Sequence, residues 1–437
     1  MVRAHLNTRG VRHSPHGAVE RIGAFDDERI AAFDDERIGY FAFIVSIGAQ
    51  HAIRVRMRTA RHHFASGLAL LAALAACTEP PTSPTIPVAS STTVAAHSAA
   101  GSATALTNVG HVFVIVLENQ GYDSTFGRPS AAPYLADTLV HAGKLLRQYF
   151  GIAHNSLPNY LAMIGGVSPT LATQSDCPIY KDFLMLGTTS GGQPIGQGCI
   201  YPARVSTVAN QLEASARSWK GYMEDMGNDP ARESATCGHV PIGTPDLTTD
   251  ATATDQYAQR HDPFVYFHSV LDSPSCAANV VPLSRLASDL SSATTTPNLS
   301  FITPNLCHDG HDHPCANGEP GGLTSADVFL KTWVPRILAS PAYQADGLLI
   351  VTFDEASTSD ASACCGERSG PNTLHAGITG PGGGRIGAVL LSPFITPASI
   401  SDTPYNHYGL LRTIEDVFGL SHLGYANGSG VTSFVLN

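Results

Sequence analysis

The sequence predicts an α/β fold, a mainly parallel sheet sandwiched by helices, over residues 108–437 of its 437. Three observations predict it. Unbroken apolar runs rich in β-branched residues read as strands buried on both faces. Segments of helical periodicity alternate with those runs. The clearest runs stop at carboxylates, amides or imidazoles, the place where open α/β sheets bind ligands.

The chain ahead of that body reads differently. Met57-Arg-Thr-Ala-Arg61 precedes an apolar run from Ala65 to Ala76, and Cys77 follows. A basic start, a short apolar centre and small terminal residues make a secretory signal over 57–77. The run is too short to span a bilayer. Leu74-Ala75-Ala76-Cys77 resembles a bacterial lipobox, which would acylate Cys77 and anchor the protein to a membrane; an ordinary cleaved signal is the alternative. Residues 1–56 carry a tandem duplication, Ala24–Ile30 and Ala32–Ile38, and no sustained domain pattern. They are expected to be untranslated or unstructured, with translation starting at Met57. The Pro/Ser/Thr-rich stretch 78–107 cannot bury enough surface to fold and is expected to be a disordered tether.

Charge excludes one class of partner. Residues 1–77 hold 10 Arg and 7 acids, which leaves 15 basic and 29 acidic residues in 78–437. No nucleic-acid footprint is visible in so acidic a body. Metal binding is one reason to gather carboxylates, and solubility is the other. Besides Cys77 there are eight cysteines, and an even number in an exported chain suggests up to four disulfides. Cys307 and Cys315 flank a His/Asp cluster that a bridge between them would staple. Cys364 and Cys365 are adjacent, and each is expected to bond elsewhere because a ring between neighbours is strained.

Val112–Leu117 is the first buried strand and stops at Glu118-Asn119. Trp219–Met223 is weaker and stops at Glu224-Asp225. Leu299–Thr303 leads to Asn305 and then to His308-Asp-Gly-His-Asp-His313. Gly347–Phe353 stops at Asp354-Glu355, and Ile386–Leu391 at Ser392-Pro393. Ser325–Leu338 has helical spacing with Ser325 as the expected N-cap. Tyr408–Phe418 places Leu410, Leu411, Ile414, Val417 and Phe418 on one face, Gly419 ends it, and His407 stands just before it. His154-Asn-Ser-Leu-Pro-Asn-Tyr160 precedes the apolar Leu161–Gly166. Pro158 in a first turn marks a helix start, with Ser156 at or near its N-cap, where amides gather around anions. Ser156 reads there as a nucleophile or as a plain cap.

Four ordered motifs carry a resemblance. Glu118-Asn119-x-x-Tyr122-Asp123-x-x-Phe126-Gly127, the His154–Tyr160 segment, Thr352-Phe-Asp-Glu355 and Asn406-His407-Tyr408-x-Leu-Leu-Arg-Thr-Ile-Glu415 together resemble the bacterial phosphoesterase family. That family contains acid phosphatases and phospholipase-C-like enzymes and belongs to the alkaline phosphatase superfamily. The resemblance implies an alkaline-phosphatase-like fold and a site with one or two divalent metals of unidentified element. It implies Ser156 as nucleophile and Glu118, Asn119, Asp309, His311, Asp354, Glu355 and His407 as the metal site, with His313 able to replace His311. His154 would touch substrate phosphate or protonate the leaving group, with Asn155 and Asn159 beside it. The oxygen-rich ligand set leaves the metal open.

The implied activity is an exported acid-phosphatase-type phosphomonoesterase, acting on small phosphate esters or phospholipid head groups. A phospholipase-C-like phosphodiesterase is the alternative, and a non-catalytic surface lipoprotein a third reading. Sulfatases of the same superfamily read Cys/Ser-x-Pro-x-Arg at this helix start. Here Tyr160 holds the fifth place, so an unmodified serine hydroxyl is expected.

Overall fold

A computed structural model describes residues 106–365 and 369–437. The stretch 1–56, the signal 57–77 with Cys77, and the tether as far as 105 lie outside the described residues. Leu106 is buried, and its carbonyl accepts from Val109 N–H.

All five expected strands form, and three short ones join them. In chain order they are β1 (His111–Leu117), β2 (Lys144–Leu146), β3 (Trp219–Met223), β4 (Val280–Pro282), β5 (Leu299–Thr303), β6 (Gly347–Phe353), β7 (Ala388–Leu391) and β8 (Ser399–Ser401). They make one sheet in the order β8–β2–β7–β6–β1–β5–β3–β4. Only β7 runs antiparallel to its neighbours. Its terminal Ser392-Pro393 therefore leaves from the opposite end of the sheet, away from the other strand ends. Strands β5, β6 and β7 are buried at every position, so both faces of the sheet are covered.

The helices that matter for the site are α1 (Ser156–Gly165), α2 (Gly322–Leu338) and α3 (His407–Phe418). Every residue of α1 is buried, and α1 packs against α3. The start of α2 lies three residues earlier than expected, with Gly321 as N-cap. Ser325 instead accepts the Gly321 N–H from inside the first turn. Helix α3 shows the expected apolar face, with Asn406 capping Gly409 N–H and Gly419 left-handed at its end.

All eight described cysteines are paired. The bridges are Cys177–Cys199, Cys237–Cys276, Cys307–Cys315 and Cys364–Cys365. The last corrects the expectation that these neighbours bond elsewhere: no other described cysteine remains to receive either sulfur.

Glu415 on α3 is buried, and burial pushes its carboxyl up to about 8 from an ordinary 4.5. One oxygen accepts Leu423 N–H at 2.8 Å and the other has no partner among the described residues. A carboxyl raised in the folded state binds its proton more tightly there than in the unfolded chain. Wild-type stability should therefore fall as pH rises from about 4.5 to about 8. Glu415→Gln keeps the acceptor and removes the titration. Denaturant melts should show this variant gaining at least about 1 kcal/mol over wild type between pH 5 and pH 8.

Candidate active site

The register of two strands creates the centre of the site. Leu117 of β1 pairs with Phe353 of β6 in parallel, so the next residues, Glu118 and Asp354, emerge side by side. Neighbouring strands are about 4.8 Å apart, which leaves two carboxylates in one crevice. Asn119 turns the chain away in the left-handed region, at φ 55°, which Asn tolerates better than most residues. Its backbone N–H donates to Asp354 Oδ1 at 3.0 Å, and its side-chain amide makes no hydrogen bond among the described residues.

A third carboxylate arrives from the loop after β5. Asn305 Oδ1 accepts from Cys307 N–H and His308 N–H, and the Asp309 carbonyl accepts Glu118 N–H at 2.9 Å. The Cys307–Cys315 bridge closes this loop. Glu224 and Asp225, at the end of β3, do not reach the crevice. Glu224 binds His308 Nδ1 and Asn305 N–H at 3.0 Å, and Asp225 accepts from Asn305 Nδ2 at 2.7 Å. They hold the Asp309 loop from behind.

His261 enters from a one-turn helix, Gln259–His261, and sequence reasoning missed it. Its ring stacks on Tyr160 with centroids 5.3 Å apart. Its Nε2 lies 3.5 Å from Glu118 Oε1 and its Nδ1 3.2 Å from Asp309 Oδ2. Neither nitrogen makes a hydrogen bond, and Asp309 Oδ2 and Asp354 Oδ2 are equally without partners among the described residues. Buried polar atoms that converge without hydrogen bonds fit a divalent cation, and their oxygen and nitrogen donors suit one. Glu118, His261 and Asp309 each bring a ligand atom within 4.8 Å of the others. The one signal for His261 in the sequence is a polar quartet, Gln259-Arg-His-Asp262, inside the apolar stretch Tyr257–Phe267.

Ser156 is the first residue of α1, and its Oγ donates to Glu118 Oε2 at 2.8 Å. Tyr160, one turn later, donates its hydroxyl to Glu118 Oε1. Asn159 is saturated: its Oδ1 accepts from Ile152 and Ala153 N–H, and its Nδ2 donates to the Ala153 and Asn155 carbonyls. It therefore shapes the loop before α1 and has no amide group left for substrate. That loop lies against the end of β6. A Cβ at Gly151 would come 2.8 Å from the Asp354 carbonyl, and one at Gly383 2.2 Å from the Ala153 carbonyl, so neither position admits a side chain. Asn155 is half-buried, with Nδ2 3.3 Å from the Gln174 carbonyl.

Three of the sequence-derived metal residues are used elsewhere. Glu355 pairs with His154 Nδ1, whose Nε2 lies 3.1 Å from the Asp360 carbonyl. His407 has its Nδ1 3.0 Å from Tyr149 OH and its Nε2 on the Asp354 carbonyl, so both nitrogens are occupied. It braces the backbone of Asp354 instead of facing the crevice. His311 is half-buried, with Nδ1 on Asp312 and Nε2 3.4 Å from Arg260 Nη2. His313 is exposed and bonds the Pro320 carbonyl, which removes it as a substitute.

Burial governs the electrostatics. It pushes the Glu118 carboxyl well up, with Asp354 and Asp309 adding repulsion, and it pushes Asp309 well up too. Asp354 is raised to about 6, chiefly by burial and against the hydrogen bonds it accepts. Burial drives His261 well below the imidazole range and lowers His154. Burial opposes the charge of Arg260, but Asp176, Glu118, Asp246 and Asp309 outweigh it and raise the guanidinium. The crevice is an acidic pocket edged by neutral imidazoles and one buried cation.

A parallel α/β body with a serine at a helix start, facing buried carboxylates at the strand ends, defines the class. A model of the phosphoesterase family matches residues 128–421, and the chain belongs to that family. It is 28% identical to a phosphate-repressible acid phosphatase of Penicillium chrysogenum, over 71% of this chain and 59% of that one. It is 26% identical to a phosphatidylinositol-3-phosphatase of Mycobacterium tuberculosis, over 75% of this chain and 83% of that one. The chain spans 58–62% of the acid phosphatases it matches. Among solved structures it resembles an alkaline phosphatase superfamily protein from Vibrio parahaemolyticus, at 12% identity and TM-score 0.40, over 71% of this chain and 67% of that one.

Divalent-ion binding tests the crevice directly. Asp309→Asn and His261→Ala should each lower bound metal after dialysis by at least about tenfold, read by elemental analysis. Wild-type affinity should weaken as pH falls through about 6, where Asp354 takes a proton that competes with the ion. Calorimetric titrations at pH 7.5 and 5 would measure it.

Proposed function

We propose that this protein is an exported, metal-dependent phosphomonoesterase that works through a phosphoserine at Ser156. One observation carries the reading: the Ser156 hydroxyl, at the start of α1, donates to a carboxylate in the middle of a buried acidic cluster. Helix starts bind phosphate, and a carboxylate of raised proton affinity is suited to take the hydroxyl proton. The names of the acid phosphatases and of the phosphatidylinositol-3-phosphatase it resembles support monoester chemistry.

In this reading Ser156 Oγ attacks phosphorus in line and its proton passes to Glu118 Oε2. The P–O bond to the leaving group breaks, and His154, oriented by Glu355, touches the phosphate or protonates the departing oxygen once its Nε2 leaves the Asp360 carbonyl. Water then attacks the phosphoserine and the P–Oγ bond breaks; one water proton replaces the one His154 gave or stays on the phosphate, and Glu118 returns its proton to Ser156 Oγ. Tyr160 keeps its own proton, because burial and the Glu118 charge raise its phenol well above the ordinary value. It holds Glu118 in place throughout. A divalent cation held by Glu118, His261, Asp309 and Asp354 would offset charge at the phosphate oxygens.

The substrate class is a small phosphate ester or a phospholipid head group. Four disulfides fit an oxidising compartment, and no helix among the described residues is long and apolar enough to cross a membrane. Export through the 57–77 signal and lipid anchoring at Cys77 complete the proposal.

Ser156→Ala should lose at least about a thousandfold in turnover while keeping its metal content and melting temperature. Acid trapping of the wild type should place phosphate on Ser156. Near-normal turnover by the variant would show that water attacks directly. Wild-type rates on p-nitrophenyl phosphate should exceed those on its bis-ester, and the reverse order would make the enzyme a phosphodiesterase.

A further inference from the structure

Arg260 is a buried cation that the proposed chemistry does not use. It is 6% exposed, and no carboxylate lies within 4 Å of it among the described residues. Its Nη1 donates to the Thr249 carbonyl at 3.1 Å, and its Nη2 lies 3.4 Å from His311 Nε2. His311 Nδ1 lies 2.8 Å from Asp312 Oδ1, which leaves Nε2 facing the guanidinium. The other N–H groups of the fork have no acceptor among the described residues. An enclosed guanidinium is costly unless its donors are matched, and arginine's planar fork matches two oxygens of one phosphate.

Its position fits that role. Arg260 directly precedes His261, whose ring touches the Glu118 and Asp309 carboxylates. Its Nη2 reaches His311, two residues after Asp309. Asp176, one of the carboxylates whose field acts on Arg260, accepts the Leu157 N–H at the start of α1. Asp176 thus links the field at Arg260 to the helix start where the proposed nucleophile stands.

We propose that Arg260 grips two non-bridging oxygens of the substrate's terminal phosphate and so favours monoesters over diesters. This rests on the phosphomonoesterase reading. A monoester dianion keeps three unsubstituted oxygens, so two can face the fork while the third faces the crevice. A diester has given one of them to its second alcohol and carries one negative charge fewer.

The test uses the full chain and two variants, Arg260→Gln and Arg260→Lys. Inorganic phosphate is the probe for binding, read by calorimetry, so this arm does not depend on turnover. Arg260→Gln should bind phosphate about 10- to 100-fold more weakly, the scale of a lost charge-assisted bidentate contact. Its monoester-to-diester ratio of kcat/KM should fall at least about tenfold, with metal content unchanged. Arg260→Lys keeps the charge without the fork and should lose at least about threefold in phosphate affinity, which carries the test if the Gln variant does not fold. Wild-type phosphate affinity in a folded variant, or an unchanged monoester-to-diester ratio, would overturn the assignment. Absence of monoesterase activity in wild type would instead sink the underlying reading, while the phosphate-binding arm would still judge Arg260.

Discussion

Glu118, Asp309 and Asp354 are buried together, and among the described residues no lysine or arginine comes within 4 Å of any of them. Carboxylates so placed cannot all be ionised without compensation, because burial and mutual repulsion both favour protons. The surrounding structure supplies donors at every side it can: Ser156 and Tyr160 hydroxyls to Glu118, Asn119 N–H to Asp354, His311 N–H to Asp309. Of the oxygens left without a hydrogen bond, Asp309 Oδ2 lies 3.2 Å from His261 Nδ1. A divalent cation is the compensation that this geometry leaves room for, and the same local charge would favour a phosphate oxygen beside it.

Much of the nearby polar machinery acts on position. Asn159 gathers the 152–155 backbone, Tyr149 and His407 brace the Asp354 carbonyl, and Glu224 with Asp225 hold the turn that delivers Asp309. Each is buried or half-buried with its hydrogen-bonding capacity engaged. Such residues sit in the same motifs as the chemical groups, since a site on loops needs its supports as much as its ligands. Motif membership alone therefore does not say which groups face the crevice. His407 and Glu355 illustrate this: both stand in the ordered motifs, yet one supports a backbone carbonyl and the other orients His154.

The amino-acid sequence by itself determined the strands, their alternation with helices, and the two carboxylates that leave β1 and β6. An unbroken apolar run has one stable fate in a body this size, and the residue after it must leave the sheet. The helix start at Ser156 and the end of α3 at Gly419 were likewise legible, because Pro158 and a left-handed glycine act locally. Tertiary structure alone decided the rest. The parallel register of Leu117 with Phe353 put Glu118 beside Asp354, and no local pattern encodes a pairing across more than two hundred residues. His261 and Arg260 had only a polar quartet in an apolar stretch to mark them, because a one-turn helix has no periodicity to announce it. The Cys364–Cys365 pairing followed from the other six described cysteines finding partners in space. Periodicity and turn chemistry act over a few residues; the site depends on which loops the closed core brings to one end of the sheet.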